Sequence, residues 1–379
     1  MRNILYFRIR KMKNDKMFKK TKCIITATTD GSIKDMCRSI LSQIDAKEVL
    51  KIIFFNIPES DNDYLQYNKE LRECVKEHFP TATPLVSYVA QKTECGTLVA
   101  EVVSLADSEA IIERKARYTI LKKGTCHEIM SEGIIPADIT ANTFTQANDI
   151  FATIGVILQE NGFTPCNIYR QWNYIQGITV LNNGSQNYQE FNDARSLFYA
   201  KGNWTNGYPA ATGIGTSRGG VMIEFSAIKD EEVPNKPIDN PLQVAAHNYS
   251  QDVLDGKVIE ELKERTTPKF ERARILGSTI FISGTAAIKG ENSNHSCNAV
   301  EQTAETMEIM DNLVSKENIP APNNGSYYRF LRVYVKNECD IPAVREYMGK
   351  HYPTAGKHYL VADICRPELL VEIEGLAHI

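Results

Sequence analysis

The chain has 379 residues, of which 42% are hydrophobic and 24% are charged, a composition typical of a soluble globular protein. It excludes a disordered or fibrous chain, and no apolar run approaches the roughly 20 residues that a membrane-spanning helix requires. The formal net charge of −4 provides no overall basic field, so we expect neither nucleic acid nor a membrane as a partner.

The chain opens with a basic segment. Residues 1–20 carry eight Lys or Arg against a single Asp, without the apolar stretch and cleavage site of a secretory signal, so we predict a poorly ordered leader. Nine scattered cysteines without a CxxC motif favour reduced thiols and a cytoplasmic protein. Seven histidines without metal-ligand spacing predict no metal site.

Strand and helix patterns alternate along the chain. Residues 49–57, 167–175 and 327–335 are rich in β-branched and aromatic side chains, which is typical of strands. Each is preceded and followed by a stretch that we predict to be helical. The six predicted helices are 33–44, 63–78, 147–161, 188–200, 299–318 and 341–351.

A short motif then recurs three times. Phe79-Pro80-Thr81-Ala82, Tyr208-Pro209-Ala210-Ala211 and Tyr352-Pro353-Thr354-Ala355 each precede two apolar segments that read as a hairpin. The second strand of each hairpin contains a glutamate: Glu101, Glu224 and Glu372, which lie 21, 15 and 19 residues after the proline. We therefore predict three repeats. Their bounds are 21–110, 111–230 and 241–379, with an acidic, proline-containing linker over 231–240.

The predicted fold class is α/β (α+β), with mixed sheets that carry helices on one face. Three such repeats, packed through their free sheet faces, would form an intramolecular pseudo-trimer with a partly polar interior. Because pockets often form where such bodies meet, we expect a site between repeats.

Strand alternation selects the candidate chemistry. Glu372 and Glu374 share the face opposite Val371 and Ile373, and like-charged neighbours raise a carboxyl pKa and so favour a general acid. From the residues alone, a catalytic and a structural role for Glu372 remain equally open, whereas Glu101 and Glu224 are more typical of structural residues. The same alternation would place Cys365 and Glu372 on one polar face across the third predicted hairpin. It also predicts one shared face for Ile168, Arg170, Trp172 and Tyr174.

Other candidates have a plainer interpretation beside the functional one. A single cysteine such as Cys365 is more typical of packing than of chemistry, and Arg195 and Arg366 are more typical of surface ion pairs. Gly213 lies in a Gly-x-Gly step that could hold an anion, although no helix follows it.

The residues carry a family resemblance. The segments IFISGTAAIKGENSNH, YYRFLRVYVKN and LVEIEGLA of the third repeat resemble the YjgF/RidA (endoribonuclease L-PSP) family, whose members are trimers with sites between subunits. A narrower set, RQWNYIQGI, NYQEFNDAR, YPAATGIGT and ADICRPELLVEIEG, resembles the chorismatases, also called 3-hydroxybenzoate synthase-like proteins. This second resemblance covers about 85–379 and implies a single chain arranged like a YjgF trimer.

The resemblance implies a chemistry without any cofactor. Glu372 would protonate the enolpyruvyl methylene of chorismate and so release pyruvate, while Cys365, seven residues earlier, goes with 3-hydroxybenzoate rather than a dihydroxycyclohexadiene carboxylate as ring product. A dianionic substrate needs charge-assisted donors, for which Arg170, Arg195, Arg366 and Lys357 are the candidates. The segment that contains Phe270 and Arg272 should border the pocket. A polar stretch, DVLDGKVIEELKER, precedes it and leaves the substrate and product open.

Two other functions stay open. A YjgF-like enamine or imine deaminase is one, although Lys357 stands where those enzymes carry a carboxylate-binding arginine and lacks its bidentate fork. A non-catalytic protein that binds a small carboxylate is the other. Whether the chain is a monomer or a homo-oligomer is equally open.

Overall fold

The computed structural model describes residues 5–6, 17–107, 109–182, 184–230, 233, 235–293, 297–320 and 327–379. Residues 1–4 and 7–16 of the predicted leader, and residues 231, 232 and 234 of the predicted linker, lie outside these ranges. Within the described ranges, no helix is long and apolar enough to cross a membrane.

The first repeat forms a five-stranded sheet in the order β1-β2-β6-β3-β4, with two helices packed on one face. Ser32 and Ser60 cap these helices by accepting hydrogen bonds from the backbone N–H three residues on. The elements are β1 (Leu5–Tyr6), β2 (Lys20–Thr26), α1 (Ile33–Leu41), β3 (Val49–Asn56), α2 (Asp61–His78), β4 (Leu85–Ala90), β5 (Lys92–Thr93) and β6 (Val99–Leu105).

The second repeat forms a six-stranded sheet in the order β13-β10-β14-β9-β8-β7. Helix α3 begins four residues before the prediction because Asn142 caps it. The elements are β7 (Ile111–Arg114), β8 (Tyr118–Lys123), β9 (Cys126–Ser131), α3 (Thr143–Glu160), β10 (Ile168–Gln176), β11 (Leu181–Asn182), β12 (Ser185–Gln186), α4 (Asn187–Tyr199), β13 (Ala210–Thr216) and β14 (Val221–Lys229).

The third repeat forms a seven-stranded sheet in the order β15-β16-β17-β22-β20-β21-β5, so a short strand of the first repeat completes its edge. The elements are β15 (Asn235–Ile238), β16 (Ala273–Leu276), β17 (Thr279–Ala286), β18 (Ile288–Lys289), β19 (Asn292–Ser293), α5 (Ala299–Leu313), β20 (Tyr327–Val335), α6 (Ile341–His351), β21 (Gly356–Val361) and β22 (Val371–His378). The four described 3-10 turns are Pro165–Asn167, Ala246–Asn248, Gln251–Val253 and Glu338–Asp340.

Each repeat has its own apolar core between the sheet and its two helices, and further apolar clusters join the inner faces of the three sheets. The predicted fold class, three mixed sheets that form a pseudo-trimer within one chain, is confirmed. The last residues of the predicted leader and of the predicted linker are part of the folded structure. Met17 and Phe18 of the leader are buried in an inner cluster, and the linker contains strand β15.

The predicted hairpins are wrong. In each repeat the strand between the two helices lies in the middle, so β3 separates β4 from β6, β10 separates β13 from β14, and β20 separates β21 from β22. The reason is the crossover: a strand-helix-strand connection makes a parallel pair, and the last strand must then pair with the other edge of the central strand.

A β-bulge at the same point of each central strand fixes the equivalence of the repeats. The bulges precede Lys51, Arg170 and Phe330. The bulge turns Ile168 to the helix face, where it joins the core, so the predicted shared face begins only at Arg170. Counting from the bulges, Glu374 is equivalent to Glu101 and Glu224, not Glu372 as the motif spacing predicted.

Candidate active site at the interface between the second and third repeats

A cavity of about 650 Å³ lies between the second and third repeats. One wall comes from α4 and β13 of the second repeat, and the other from β17 and β22 of the third. The segment between β15 and β16 covers the cavity and contributes Tyr249, residues 252–255 and Phe270. The expectation of a cavity between repeats therefore corresponds to a real feature of the molecule.

Glu372 lies on the cavity wall in β22 and is 4% exposed. A Cβ atom placed on Gly284 of β17 would lie 2.0 Å from its Oε1, so only glycine leaves room for this carboxyl. No hydrogen bond or ion pair to the Glu372 carboxyl forms within the described part of the chain. Burial and the negative charge of Glu374 raise the pKa of Glu372 to about 8, although the positive charge of Arg170 acts in the opposite direction. This carboxyl therefore carries a proton at neutral pH.

Glu374, two residues along the same strand, has the opposite environment. Its carboxylate accepts hydrogen bonds from Arg332 Nη1 and Tyr334 Oη at 3.0 Å each and from Trp172 Nε1 at 3.1 Å. It also accepts short hydrogen bonds from Arg170 and from the Thr212 hydroxyl. Burial alone would raise the pKa of Glu374, but Arg170 and Arg332 outweigh it and hold that pKa below its ordinary value. One strand thus presents a neutral acid and a fixed carboxylate.

Cys365 borders the same cavity and interacts electrostatically with Glu372. Burial raises the pKa of the Cys365 thiol to about 12, and the charge that Glu372 carries once it is ionised at high pH acts in the same direction. The thiol is therefore neutral at physiological pH and is not a ready nucleophile. What it offers is a small, weakly polar group beside the acid.

Two arginines line the opposite part of the cavity. The Arg272 and Arg366 guanidinium groups lie 5.5 and 5.6 Å from the centre of the Tyr249 ring. Arg272 donates to Tyr249 Oη at 2.7 Å, and Arg366 donates to the Glu291 carbonyl oxygen at 2.8 Å. No ion pair closer than 4.0 Å joins either arginine to a described carboxylate. Glu291 lies within electrostatic reach of Arg366, and Asp252, Asp255 and Glu368 also border the cavity.

Arg195 lies one layer behind the wall. It is only 1% exposed and donates to the amide oxygen of Asn192, which does line the cavity. Its Nε has no hydrogen-bond partner among the described residues, so the expectation of a surface ion pair is wrong. The aromatic ring of Phe270 faces the cavity. Gly213 does too, and a Cβ atom there would lie 2.9 Å from the Tyr188 ring, so it makes space for an aromatic side chain.

The structure does not bring Arg170 and Lys357 to this cavity. Arg170 faces the pseudo-trimer interior, where it is bound to Glu374 and donates to Thr212 at 2.7 Å. Lys357 points to the helix side of its strand and donates to the Tyr352 and Ala355 carbonyl oxygens. Its neighbour His358 takes the inward position and contacts Glu101 at 2.9 Å. Sequence spacing does not show which of two consecutive side chains faces inward.

The segment that covers the cavity is held by hydrogen bonds within itself and by one to the second repeat. Arg265 donates to the Gln251 carbonyl oxygen at 3.1 Å and also to that of Leu254. The Lys257 backbone N–H donates to Ser185 Oγ at 2.9 Å, which attaches the segment to the second repeat. Asp252 and Asp255 line the cavity from this side. The polar stretch that the sequence singled out is therefore part of the cavity wall.

Several residues of the site escaped the sequence reasoning. Gly284, Tyr188 and Thr212 lie in the segments that carry the family resemblance but were not among the candidate site residues, and only the pairing of repeats places them beside Glu372 or Glu374. The SGT step at 283–285 was the one available signal, since a glycine inside a strand often marks a close approach. Among the described residues, no group of three or more His, Cys, Asp or Glu is arranged to hold a metal ion.

The fold and the site define an enzyme whose cavity lies between two repeats of an internal pseudo-trimer. A solved chorismatase structure matches this fold with a TM-score of 0.69 and 21% identity, covering 95% of this chain and 98% of that chain. The family model "Chorismatase FkbO/Hyg5-like, N-terminal" matches residues 121–227.

Curated relatives are similar across most of their length. A 3-hydroxybenzoate synthase from Streptomyces hygroscopicus is 31% identical over 234 residues, which span 60% of this chain and 67% of that protein. A chorismatase from the same organism is 30% identical over 252 residues, which span 63% and 67%. The chain belongs to the chorismatase family, which confirms the resemblance.

Proposed function

We propose that this enzyme cleaves the enolpyruvyl ether of chorismate and releases pyruvate, with Glu372 as the general acid. The observation that carries the proposal is a buried carboxyl on the wall of a cavity large enough for a small dicarboxylate. Its pKa of about 8 means that the group holds a proton at neutral pH yet can release it. The names of the similar proteins support chorismate as the substrate class.

The proton of Glu372 would go to the terminal methylene carbon of the enolpyruvyl group. The π electrons of the double bond form the new C–H bond, and the ether oxygen shares the resulting positive charge as an oxocarbenium ion. Water then adds to the cationic carbon and gives its proton to the Glu372 carboxylate. The hydroxyl proton of the resulting hemiketal passes to the ring oxygen as the bond between that oxygen and the side-chain carbon breaks. This yields pyruvate and a dihydroxycyclohexadiene carboxylate, and Glu372 has already regained its proton.

A second course consumes no water overall. In this course a ring hydroxyl gives its proton to the Glu372 carboxylate, and its oxygen displaces the ether oxygen from the neighbouring ring carbon. The electrons of the broken C–O bond complete the keto group of pyruvate, and the epoxide left on the ring isomerises to 3-hydroxybenzoate. The two products then together contain the atoms of chorismate. We favour this product because the neutral Cys365 thiol occupies the space beside Glu372, and a water molecule there would have to compete with it.

Substrate carboxylates would bind at the cationic part of the cavity. Arg272 and Arg366 present guanidinium groups to it, and Arg195 adds positive charge from behind Asn192. Phe270 supplies an apolar surface for the ring. We do not include Arg170 and Lys357 among the binding residues, because Arg170 binds Glu374 and Lys357 donates to backbone carbonyl oxygens. The deaminase interpretation needs a carboxylate contact at position 357, so this orientation of Lys357 does not support it.

The test is incubation of the purified protein with chorismate, with pyruvate release followed over time and the ring product identified by mass spectrometry. General acid catalysis contributes roughly 10²–10⁴-fold, so Glu372→Gln should lower kcat by about that factor. Glu128→Gln is the matched control, since Glu128 is also a buried glutamate of an inner sheet face but pairs with Lys20 and Tyr169 away from the cavity. Full activity of Glu372→Gln would exclude the acid role.

A further inference from the structure

Glu374 is a buried carboxylate beside the acid, and it does not line the cavity. It lies two residues from Glu372 on the same face of β22, a spacing of about 7 Å along a strand. Its charge therefore acts on Glu372 across protein rather than across water, where screening is weak. Glu374 therefore has two possible roles, which are to link the repeats through its hydrogen bonds and to influence the protonation of Glu372.

The position of Glu374 is fixed by all three repeats. Trp172 and Arg170 donate to it from the second repeat, and Arg332 and Tyr334 donate from the third. Arg332 in turn forms a bidentate ion pair with Glu101 of the first repeat, with both N–O distances at 2.7 Å. With this set of donors, the charge can neither move nor easily be neutralised.

The equivalent glutamates show what a purely structural role requires. Glu101 pairs with Arg332, and Glu224 pairs with Lys51 at 2.8 Å, so each joins two repeats as Glu374 does through Arg170. Two residues before them, however, stand Val99 and Met222, which do not ionise. Only in the third repeat does an ionisable residue, Glu372, occupy that place.

We infer that Glu374 is a positioning residue that keeps Glu372 in its acid form, and that Arg170 serves this carboxylate rather than the substrate. The inference rests on the proposed function only in giving that acid form a catalytic use. Glu374 contributes its fixed negative charge, which makes loss of the Glu372 proton unfavourable. Arg170 limits the effect by compensating part of that charge, and so keeps Glu372 able to donate.

Other groups also face Glu372 and enter the electrostatic balance. Burial raises its pKa most, and Glu374 contributes more than Arg170 takes away. The remaining titratable or charged groups around the carboxyl come from α4, β20, the loop before β22 and the covering segment. They are Tyr188, Tyr334, Cys365, Arg366, Glu368, Tyr249, Asp252, Asp255 and Arg272. Because Arg272 and Arg366 are cationic, they cannot be what holds the proton on Glu372.

The decisive variant is Glu374→Gln, which removes the charge and keeps the shape. We expect the alkaline limb of the kcat–pH profile to move down by about one to two pH units, because a like charge is lost and Arg170 becomes free to favour the Glu372 carboxylate. KM should change by no more than about two-fold, since Glu374 does not line the cavity. Glu374→Asp keeps the charge and should restore the position of the limb.

Glu224→Gln is the matched control, because it removes the equivalent carboxylate of the second repeat, where Met222 stands in the place of Glu372. It should lower stability without moving the pH profile. If Glu374→Gln does not fold, the neutral-pair variant Glu374→Gln with Arg170→Gln replaces it and should move the limb in the same direction by less. An unmoved limb in a folded variant would reduce Glu374 to a purely structural role.

A titration that needs no turnover separates this inference from the proposed function. The infrared band of a protonated carboxyl that disappears in Glu372→Gln reports the Glu372 proton directly. If that band titrates at lower pH in Glu374→Gln, the inference holds even where chorismate is not consumed. If chorismate is consumed but the band and the limb stay in place, the function holds and the inference fails.

Discussion

Two interfaces in this molecule have the same construction and different contents. Between the first and second repeats, the Gly133 N–H donates to Ser87 Oγ at 2.7 Å, and between the second and third, the Gly284 N–H donates to Thr212 Oγ1 at 3.1 Å. A Cβ atom on Gly133 would lie 2.3 Å from Met222 Sδ, as one on Gly284 would lie 2.0 Å from Glu372 Oε1. Met222 therefore occupies the place of the acid.

The two interfaces also use their helices differently. Tyr64 of α2 is buried, with its hydroxyl 4.0 Å from Met222 Sδ and its ring against Gly219, so it packs onto the thioether. In the other interface Tyr188 of α4 packs on Gly213 and leaves the cavity in front of Glu372. The same glycine and hydroxyl pair supports a closed apolar contact in one case and the candidate-site cavity in the other. The difference between the two interfaces therefore depends on one substituted position and on the space around it.

The largest difference between the two interfaces should appear in the pH dependence of the free energy of unfolding, because only one of them contains a buried, ionisable Glu372. Glu372 has a folded-state pKa of about 8 against an ordinary value of 4.5, so the folded protein holds a proton that the unfolded chain releases. The resulting destabilisation is absent below about pH 4.5, grows as the pH rises, and is complete near pH 8. Glu372→Gln removes this destabilisation. The free energy of unfolding that the variant gains over the wild type should therefore be about 3 kcal/mol larger at pH 7 than at pH 4.5.

Urea unfolding of both proteins at several pH values measures this difference. The corresponding interface offers the control, because Met222→Gln removes no ionisable group and should give a pH-independent change. Parallel curves of stability against pH for Glu372→Gln and the wild type would contradict a protonated, buried Glu372.

The next effect concerns the two glycines. Gly284→Ala should displace the Glu372 carboxyl, and a misplacement of about 1 Å can cost on the order of 10²-fold in rate, so we expect kcat to fall by about 10–100-fold. Gly133→Ala introduces the same methyl group against Met222 and should cost about 1–3 kcal/mol of stability through overpacking. Its activity should stay within about two-fold of the wild type. Equal losses of activity in both variants would show that the two interfaces do not differ in function.

The smallest effect is expected at Met222 itself. Met222→Leu conserves an apolar side chain of similar volume, so the free energy of unfolding should change by less than about 1.5 kcal/mol. Chemical denaturation measures that change, and pyruvate release should remain at the level of the wild type. A large loss of activity would mean that this interface contributes to catalysis after all.

Local sequence predicted much of this molecule. Six helices and the three central strands were recognised, with errors mainly at helix ends such as the start of α3, where the Asn142 cap went unnoticed. The pair of Glu372 and Glu374 on the polar face of one strand also followed from alternation alone, because side chains in a strand repeat every two residues.

The proximity of Cys365 to Glu372 followed from the same pattern, although for the wrong reason. The two were expected across a hairpin, whereas β20 lies between β21 and β22, and Cys365 reaches the cavity from the loop after β21. An incorrect strand order can thus predict a correct proximity, because both the predicted hairpin and the observed sheet leave Cys365 and Glu372 on the same side.

Only the tertiary structure decides which charged side chains are paired and which carboxyl holds a proton. Nothing near Arg170 in the sequence indicates that it binds a carboxylate 204 positions away, and alternation could not show that a bulge turns Ile168 to the helix face of the sheet. The identity of Glu374, not Glu372, as the counterpart of Glu101 and Glu224 likewise depends on those bulges. Sequence patterns record which side chains share a face, but burial and ion pairing arise between distant segments, and these decide which of two neighbouring glutamates holds a proton.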